Sequence, residues 1–388
     1  MKIQRRIGKY ALPPLATIAM LMVAFLRPSF AAEPINIGFT TDFSGIGAVF
    51  GVQEAPVVEW VVKEVNAAGG INGRPINLIV QDSGSDPAKA IGIAKMFKEQ
   101  YHCKVIVASV ISTVGIALKS WGEKNQIPIM AGDPATDRLW DKSGKSWLFR
   151  TEVPASLRIQ AALARMQKLG YTTVAFEGST LAWGTDSLAA LKEKAPTYGL
   201  KVVAEVQVEP KTKDLTIQAT QLKNSGAQAL VVADYEAEGG VLARAMNSVG
   251  WKPYVFHVSS ATYTNTLATN PTELFEGWET VQTIDISSPL VRKIWDKTKA
   301  YTGKTPIEDE KLPRTWDAIN LVIAAVKASG NPEDGGAIRD AFYKLDNYER
   351  AVGKRGGKGG YAVGRNHLLD ISDLVPYVTK SGKLVPVH

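Results

Sequence analysis

Cysteine and histidine are scarce in this chain of 388 residues, which contains one cysteine and four histidines. The single thiol, Cys103, has no partner for an internal disulfide, and no two of these residues have the spacing of paired metal ligands. We therefore predict no cofactor and no metal site. We interpret Cys103 as a small buried side chain beside a strand at 105–110.

Long apolar runs are also missing. Crossing a bilayer takes about 20 consecutive apolar residues, and the run at 15–26 has only about a dozen. It follows a basic head and precedes Ser29-Phe30-Ala31, which has the small side chains that a signal peptidase accepts. We predict an export signal peptide at 1–31, cleaved near Ala31, and no stable membrane insertion. The Arg5-Arg6 pair leaves twin-arginine export open as an alternative to general secretion.

Most of the excess of positive charge lies in this leader. The formal charge is +7, but five basic residues and no acidic residue lie within 1–31. The remaining chain has 40 basic and 38 acidic side chains, a net charge of only +2. Nucleic acid and anionic membrane surfaces are therefore not expected as partners.

Complete catalytic motifs are lacking as well. Residues 144–146 and 303–305 resemble the end of a phosphate-binding loop, but the glycine required five positions earlier is Leu139 in one and Thr298 in the other. No Gly-x-Ser-x-Gly sequence is present to position a nucleophilic serine. We therefore predict that the protein is not an enzyme.

The sequence does contain two successive sets of alternating strand and helix patterns, which are typical of βαβ units and parallel sheets. In the first set we predict strands at 35–40, 75–81, 105–110 and 127–130, with Asp86 as the N-cap of a helix. In the second set we predict strands at 173–176, 202–208, 229–233 and 254–256. Two later helices, at 289–301 and 315–328, indicate that the chain crosses back to the first unit. The predicted fold class is α/β with two doubly wound parallel-sheet lobes.

Short sequences along the chain resemble those of one protein family. They begin with Gly-Phe-Thr-Thr-Asp-Phe-Ser-Gly at 38–45, Val-Asn-Ala-Ala-Gly-Gly-Ile-Asn-Gly at 65–73, Asp82, and Asp-Pro-Ala-Lys-Ala at 86–90. They continue in the same order at 149–151, 183–184, 243–250, 275–277 and 316–318. As a set they resemble the branched-chain amino-acid-binding proteins, the periplasmic receptors of ABC importers.

The resemblance implies a type I periplasmic binding protein fold, in which a three-strand hinge joins the lobes and a small-molecule ligand is trapped between them. We expect an N-terminal lobe of 32–150 and about 281–355, and a C-terminal lobe of 151–280 and about 356–388. The resemblance also implies a periplasmic monomer whose partner is an ABC transporter permease.

The loop after the strand at 105–110 is the first expected ligand contact. By the resemblance, Ser112 and Thr113 match a serine-rich turn that receives a ligand carboxylate. The N–H groups and the positive dipole end of a helix N-terminus bind anions without any lysine. The alternative is that one of the two residues is an ordinary N-cap.

The loop at 133–136 matches one that supplies a carbonyl and a hydroxyl group, with Ala135 or Thr136 at the hydroxyl position. Asp133 stands where the family has a small residue. It either receives an ammonium or hydroxyl group of the ligand or shapes the turn before Pro134.

Three aromatic residues are expected to border the ligand: Phe50 in the first loop, Trp183 at a family aromatic position, and Tyr235 in a strand-end loop. Aromatic rings bury much apolar ligand surface and can close a cleft. Trp183 lies between Ala182 and Gly184 in what we predict is a loop, which favours the cleft over the alternative of a core aromatic.

Ser260 stands where amino-acid receptors of this family place an acidic partner for the ligand's α-ammonium group. A buried cation without a counter-charge is costly. Unless Asp133 replaces that acid, the ligand is not an ordinary α-amino acid, and an aromatic or aliphatic carboxylate or a neutral amide becomes the alternative.

From these features we predict the solute-binding component of an ABC importer of the branched-chain amino-acid type. It would capture a small amino acid or carboxylate-type ligand by hinge closure. One alternative is a sensing receptor of the same fold that signals to a regulator. The other is a receptor for an aromatic acid or neutral amide.

Overall fold

The computed structural model describes residues 33–387, apart from the side chains of Glu236 and Ser260. The signal peptide predicted at 1–31 and its cleavage site lie outside these residues. Within the described part of the chain, no helix has both the length and the apolar character needed to cross a membrane.

The first lobe is built on a five-stranded parallel sheet. Its strands are β1 (Ile35–Thr41), β2 (Ile76–Asp82), β3 (Ile106–Ser109), β4 (Ile129–Ala131) and β5 (Leu148–Arg150), in the order β2-β1-β3-β4-β5. The helices between them are α1 (Ala48–Ala67), α2 (Pro87–Glu99) and α3 (Ser112–Asn125). Because the chain turns one way from β1 and then crosses to β3 on the other side, a crevice opens between the carboxyl ends of these two strands.

The second lobe is built on a seven-stranded sheet. Its parallel strands are β6 (Thr173–Ser179), β7 (Lys201–Val208), β8 (Ala229–Ala233), β9 (Tyr254–His257) and β10 (Glu279–Gln282). The helices of this lobe are α4 (Ala155–Lys168), α5 (Ala182–Lys194), α6 (Thr216–Asn224), α7 (Glu236–Ser248) and α8 (Ser260–Thr269). The strand order β10-β9-β8-β6-β7 again changes direction, here between β6 and β8.

After β10 the chain returns to the first lobe through α9 (Pro289–Thr302), α10 (Lys311–Ser329) and α11 (Gly335–Phe342). A small ribbon of β11 (Tyr348–Glu349) and β12 (Lys358–Gly359) follows. The last segment adds β13 (Val375–Lys380), antiparallel to β10, and β14 (Lys383–Pro386), antiparallel to β13, at the edge of the second sheet. This last segment therefore extends the second sheet.

The segments that cross between the lobes are hydrogen-bonded to one another. Arg150 N donates to Asn366 O over 2.9 Å, and Leu368 N donates to Arg150 O over 3.0 Å. The N–H of Gly353 donates to Thr283 O over 2.5 Å, which ties the second crossing to the third. These three joined segments form the hinge that the family resemblance implied.

Helix α1 packs into the core through a face that is rich in valine. Val57, Val58, Val61 and Val62 are buried in the core. Fully burying one such side chain contributes about 1.5–3 kcal/mol, which compensates for the low helix propensity of valine. The indole Nε1 of Trp60 also donates to Thr298 Oγ1 over 3.2 Å, fastening α1 to α9.

Several local predictions are confirmed. The carboxylate of Asp86 caps α2 by accepting from Ala88 N at 2.7 Å and Lys89 N at 3.1 Å. Cys103 is buried and free, and its burial raises the pKa of the thiol to about 12. The predicted strands agree with β1–β4 and β6–β9 to within a few residues.

Candidate functional site

A cavity lies between the lobes, at the carboxyl ends of the strands of both sheets. It encloses about 460 Å³ of unfilled space, counting its open mouth. The first lobe contributes Phe50, Val110, Ile111, Ser112, Asp133, Ala135 and Arg314, and the second contributes Trp183, Tyr235, Ser259, Ala261 and Thr262. Glu152, on the first crossing segment, and Arg158, in α4, complete the wall. Both sheet crevices therefore open into one space.

The N-terminus of α3 borders this cavity through Ile111 and Ser112, and Asp42 fixes the loop before it. Asp42 Oδ2 accepts from Ile111 N at 3.3 Å, and Asp42 Oδ1 accepts from Ser85 N at 2.9 Å. Burial raises the pKa of Asp42, although these hydrogen bonds oppose the rise. Gly51 allows the close packing of α1 here, since a Cβ at this position would lie 2.2 Å from the carbonyl oxygen of Asp42.

Ser112 is the first residue of α3, and the N-cap position belongs to Ile111. The N-cap interpretation of Ser112 and Thr113 is therefore wrong. Instead, Ser112 Oγ accepts from Thr136 N at 3.3 Å, joining the two loops that follow β3 and β4. The N–H groups of a helix's first turn have no partner within the helix, so they remain suited to a ligand anion.

Six of the nine predicted site residues line the cavity: Phe50, Ser112, Asp133, Ala135, Trp183 and Tyr235. Thr113 does not line it and is half-buried. Thr136 is buried beside the wall, where its hydroxyl donates to Asp186 of α5. The side chain of Ser260 lies outside the described residues, although its neighbours Ser259 and Ala261 are part of the lining.

Trp183 lies in the first turn of α5, so the prediction that it occupies a loop is wrong. The next residue explains the helix: a Cβ on Gly184 would lie 2.0 Å from Ser179 O, so only glycine lets α5 start this close to the end of β6. Trp183 is 6% exposed, and its Nε1 has no hydrogen-bond partner among residues 33–387. Tyr235 lies at the N-cap of α7 and is also buried.

A buried cluster of charges, which no sequence pattern indicated, forms the floor of the cavity. Arg314 is at its centre and donates to Asp133 Oδ1 at 2.6 Å, to Glu310 Oε1 at 3.2 Å and to Glu152. Arg158 donates to both oxygens of Glu152, at 2.9 and 3.0 Å, and to Glu310 at 2.8 Å. The two guanidinium groups thus link the crossing segment after β5 to α4 and α10.

These ion pairs shift the pKa values of the groups that form them. Burial alone would raise the pKa of Glu310, but Arg158 and Arg314 lower it to about 2. Burial would lower the pKa of Arg314, but Glu152, Asp133 and Glu310 together raise it. Both groups are therefore charged at neutral pH.

Glu54, on α1, behaves in the opposite way. It is fully buried, and burial, the charge of Asp133 and a hydrogen bond with Asp133 all raise its pKa well above the ordinary value. Glu54 therefore holds its proton to a higher pH than an ordinary glutamate does.

Contacts between the lobes lie on both sides of the cavity. On one side, Asp186 of α5 accepts from Thr136 Oγ1 and, over 3.3 Å, from Arg138 Nε. On the other, Lys311 Nζ donates to Ala261 O over 3.2 Å, and Thr264 Oγ1 donates to Asp309 Oδ2 over 3.0 Å. The lobes are therefore held in a closed arrangement.

Metal ligands do not cluster in the part of the chain that the structure covers: residues 33–387 contain no group of three or more His, Cys, Asp or Glu side chains suited to a metal ion. The lining offers hydrogen-bonding groups, charges and apolar surface.

Comparison with known proteins gives a consistent result. Residues 34–366 match a family described as periplasmic binding protein. Leu/Ile/Val-binding protein homolog 3 of Brucella melitensis is 24% identical over 84% of this chain and 87% of its own length. Homolog 7 of the same organism is 23% identical over 96% of both chains.

Solved structures of similar proteins share the fold. An extracellular ligand-binding receptor from Rhodopseudomonas palustris HaA2 superposes with a TM-score of 0.78 at 22% identity, covering 92% of this chain and all 100% of that one. The substrate-binding protein LivJ of Streptococcus pneumoniae, solved with isoleucine, gives a TM-score of 0.76 at 19% identity, covering 91% and 100%. The predicted α/β fold with two lobes is thereby confirmed.

Proposed function

Because the chain belongs to the periplasmic binding protein family, as its sequence resemblance predicted, we propose that it is the solute-binding component of an ABC importer of the branched-chain amino-acid type. It captures a small amino acid or carboxylate-type ligand by hinge closure and releases it unchanged. The proteins that it matches are solute-binding proteins, so the chain is a binding protein and not an enzyme.

One observation gives this proposal its strongest support. Both lobes contribute to the cavity wall, and the wall contains polar atoms that have no hydrogen-bond partner within residues 33–387. Trp183 Nε1 in the second lobe and Arg314 Nε in the first are both buried, and neither has a hydrogen-bond partner within the described chain. A ligand oxygen can reach donors of both lobes only when the lobes are together. Ligand binding therefore favours the closed state over the open one.

The contacts between the lobes explain why closure can be reversible. They consist of a few hydrogen bonds at the edges of the cavity, such as those of Asp186 and Lys311. Hydrogen bonds to charged groups contribute about 1.5–3 kcal/mol each when formed, part of which offsets desolvation. Closure then depends on the additional contacts that the ligand supplies.

The wider biological setting is part of the same proposal. Export from the cytoplasm through a leader at 1–31, a periplasmic location, a monomeric state and delivery to an ABC permease all follow from it. We retain the predicted lobe boundaries, because the first sheet lies within 35–150 and the second within 173–282 and 375–386.

Binding measurements test this function directly. We expect saturable one-to-one binding by calorimetry for at least one compound among amino acids, monocarboxylates and amides, and recovery of that compound unchanged by mass spectrometry. Trp183→Ala should weaken binding at least tenfold, whereas Trp147→Ala, outside the cavity, should not. The proposal would be contradicted if a bound compound were chemically converted, or if Trp183→Ala bound the compound as tightly as the native protein does.

A further inference from the structure

We infer that the cavity selects a monocarboxylate with an apolar body and without an α-ammonium group, because its carboxylates already pair with Arg314 and Arg158 while donors on both lobes lack partners. This inference rests on the proposed function and narrows its ligand class. It also departs from the amino-acid ligands in the printed names of the relatives.

An ammonium group needs acceptor oxygens, and three of the four in the wall carboxylates Asp133 and Glu152 already accept from arginine; the fourth is Asp133 Oδ2. Arg314 Nη2 lies 2.6 Å from Asp133 Oδ1. Arg158 binds both oxygens of Glu152, and Arg314 adds a further bond to Oε2. Neither carboxylate therefore faces the cavity without a counter-charge.

Glu54 is a fully buried carboxyl group that interacts with Asp133. Asp133 Oδ2 and both oxygens of Glu54 are buried, and no donor among the residues described bonds to any of the three. Two carboxyl groups in contact share one proton, because two adjacent negative charges away from water are costly. An ammonium at Asp133 would favour ionisation of Glu54 and so place a second negative charge at a fully buried position.

Hydrogen-bond donors without partners favour a negatively charged ligand group over an ammonium group. The N–H of Arg314 Nε and that of Trp183 Nε1 both belong to residues that line the cavity. The N-terminal turn of α3 adds backbone N–H groups from a third direction. A carboxylate has two oxygens with several lone pairs, so it can accept from donors on both lobes at once.

The remaining wall is apolar and aromatic. Phe50, Tyr235 and the ring of Trp183 are each less than a tenth exposed, and Val110 and Ile111 lie beside them. Such a surface binds an aromatic or branched aliphatic body. This apolar surface and the hydrogen-bond donors together fit an aryl or branched alkyl carboxylic acid.

Matched pairs of compounds test the inference by calorimetry. We compare 3-phenylpropanoate with L-phenylalanine, and 4-methylpentanoate with L-leucine, since each pair differs only in the ammonium group. The corresponding amides form a third arm. We expect at least one of the deaminated acids to bind at least tenfold more tightly than its amino acid and its amide. Equal or tighter binding of the amino acid would overturn the inference.

Proton linkage provides an independent readout. Titrations in buffers of different ionisation enthalpy report protons released on binding. We expect no proton release with 3-phenylpropanoate, because Glu54 keeps its proton. Amino-acid binding with release of about one proton would instead show that the Glu54–Asp133 pair receives an ammonium.

One substitution separates the indole donor from its ring. Trp183→Phe keeps an aromatic surface and removes Nε1–H, so we expect it to weaken 3-phenylpropanoate binding about tenfold, while Trp147→Phe leaves it unchanged. Equal affinity in both variants would overturn the assigned role of Nε1. If amino acids close the lobes and bind at least as tightly as the acids, only the inference is overturned. If no acid, amino acid or amide binds, the proposed function is overturned as well.

Discussion

Arg314 and Asp133 form a buried ion pair in the wall of the cavity, with Arg314 Nη2 2.6 Å from Asp133 Oδ1. The two residues are 181 positions apart in the chain. The same guanidinium also binds Glu152 and Glu310, so one side chain of α10 organises the floor of the site. Stability and ligand selection therefore depend on the same cluster.

Replacing this arginine should destabilise the protein strongly. Arg314→Met leaves Asp133, Glu152 and Glu310 with too little positive charge, and breaking a buried ion pair costs about 3–5 kcal/mol. Urea denaturation monitored by circular dichroism measures the change in the free energy of unfolding. Lys95→Met, which removes an exposed pair with Glu99, should change that free energy by less than about 1 kcal/mol. Comparable losses in both variants would show that the cluster has no special role.

Glu54 should make stability fall as pH rises. Its folded pKa is raised, so above pH 4.5 the unfolded chain releases this proton while the folded protein still holds it. Glu54→Gln cannot ionise, so its stability relative to the native protein should increase with pH above 4.5, by up to about 1.4 kcal/mol per pH unit.

Denaturation of native protein and Glu54→Gln at pH 4.5, 6 and 8 checks this dependence. Glu99→Gln, at an exposed position of α2, should show no such trend. A difference between Glu54→Gln and native protein that stays constant or shrinks towards pH 8 would mean that Glu54 is ionised in the folded state.

Gly184 should be required for the position of Trp183. A Cβ at residue 184 would lie 2.0 Å from Ser179 O, so Gly184→Ala must shift the start of α5. We expect a loss of about 1–3 kcal/mol in stability and weaker calorimetric binding of 3-phenylpropanoate. Gly92→Ala, within α2 where a Cβ meets nothing within 4 Å, should instead stabilise by up to about 1 kcal/mol. If both alanine variants bind equally well, the placement of Trp183 does not depend on Gly184.

Asp186 should favour the closed state. Asp186→Ala removes the acceptor for Thr136 and Arg138 at one edge of the cavity. Since part of the closure energy is lost, we expect ligand affinity to fall roughly three- to tenfold, which corresponds to about 0.7–1.4 kcal/mol. Glu193→Ala, an exposed change on the same helix, serves as the control for calorimetry. Unchanged affinity for Asp186→Ala would remove this contact from the closing mechanism.

The sequence predicted the elements whose pattern is local. Alternating β-branched runs and amphipathic stretches identified β1–β4 and β6–β9, and the Asp86-Pro87 pair marked the start of α2. Strand β5 was missed because its three residues include the charged Arg150, which interrupts an apolar strand pattern. The hairpin of β13 and β14 was missed because its short strands are only partly buried.

The site was predicted in part, and for a physical reason. The family resemblance indicated which strand-end loops face the ligand, so Phe50, Ser112 and Tyr235 could be named. Glu152, Arg158 and Arg314 could not, because charged residues are expected at the surface and their pairing joins segments far apart in the chain. Trp183 was placed in a loop because Gly184 has a low helix propensity, although α5 begins at Ala182.

X-ray scattering of the purified protein tests the central claim most directly. Titration with 3-phenylpropanoate and, separately, with L-leucine should reduce the radius of gyration for whichever compound binds by calorimetry, because the lobes close around it. A binding compound that leaves the scattering profile unchanged at saturation would contradict closure of two lobes around a small ligand.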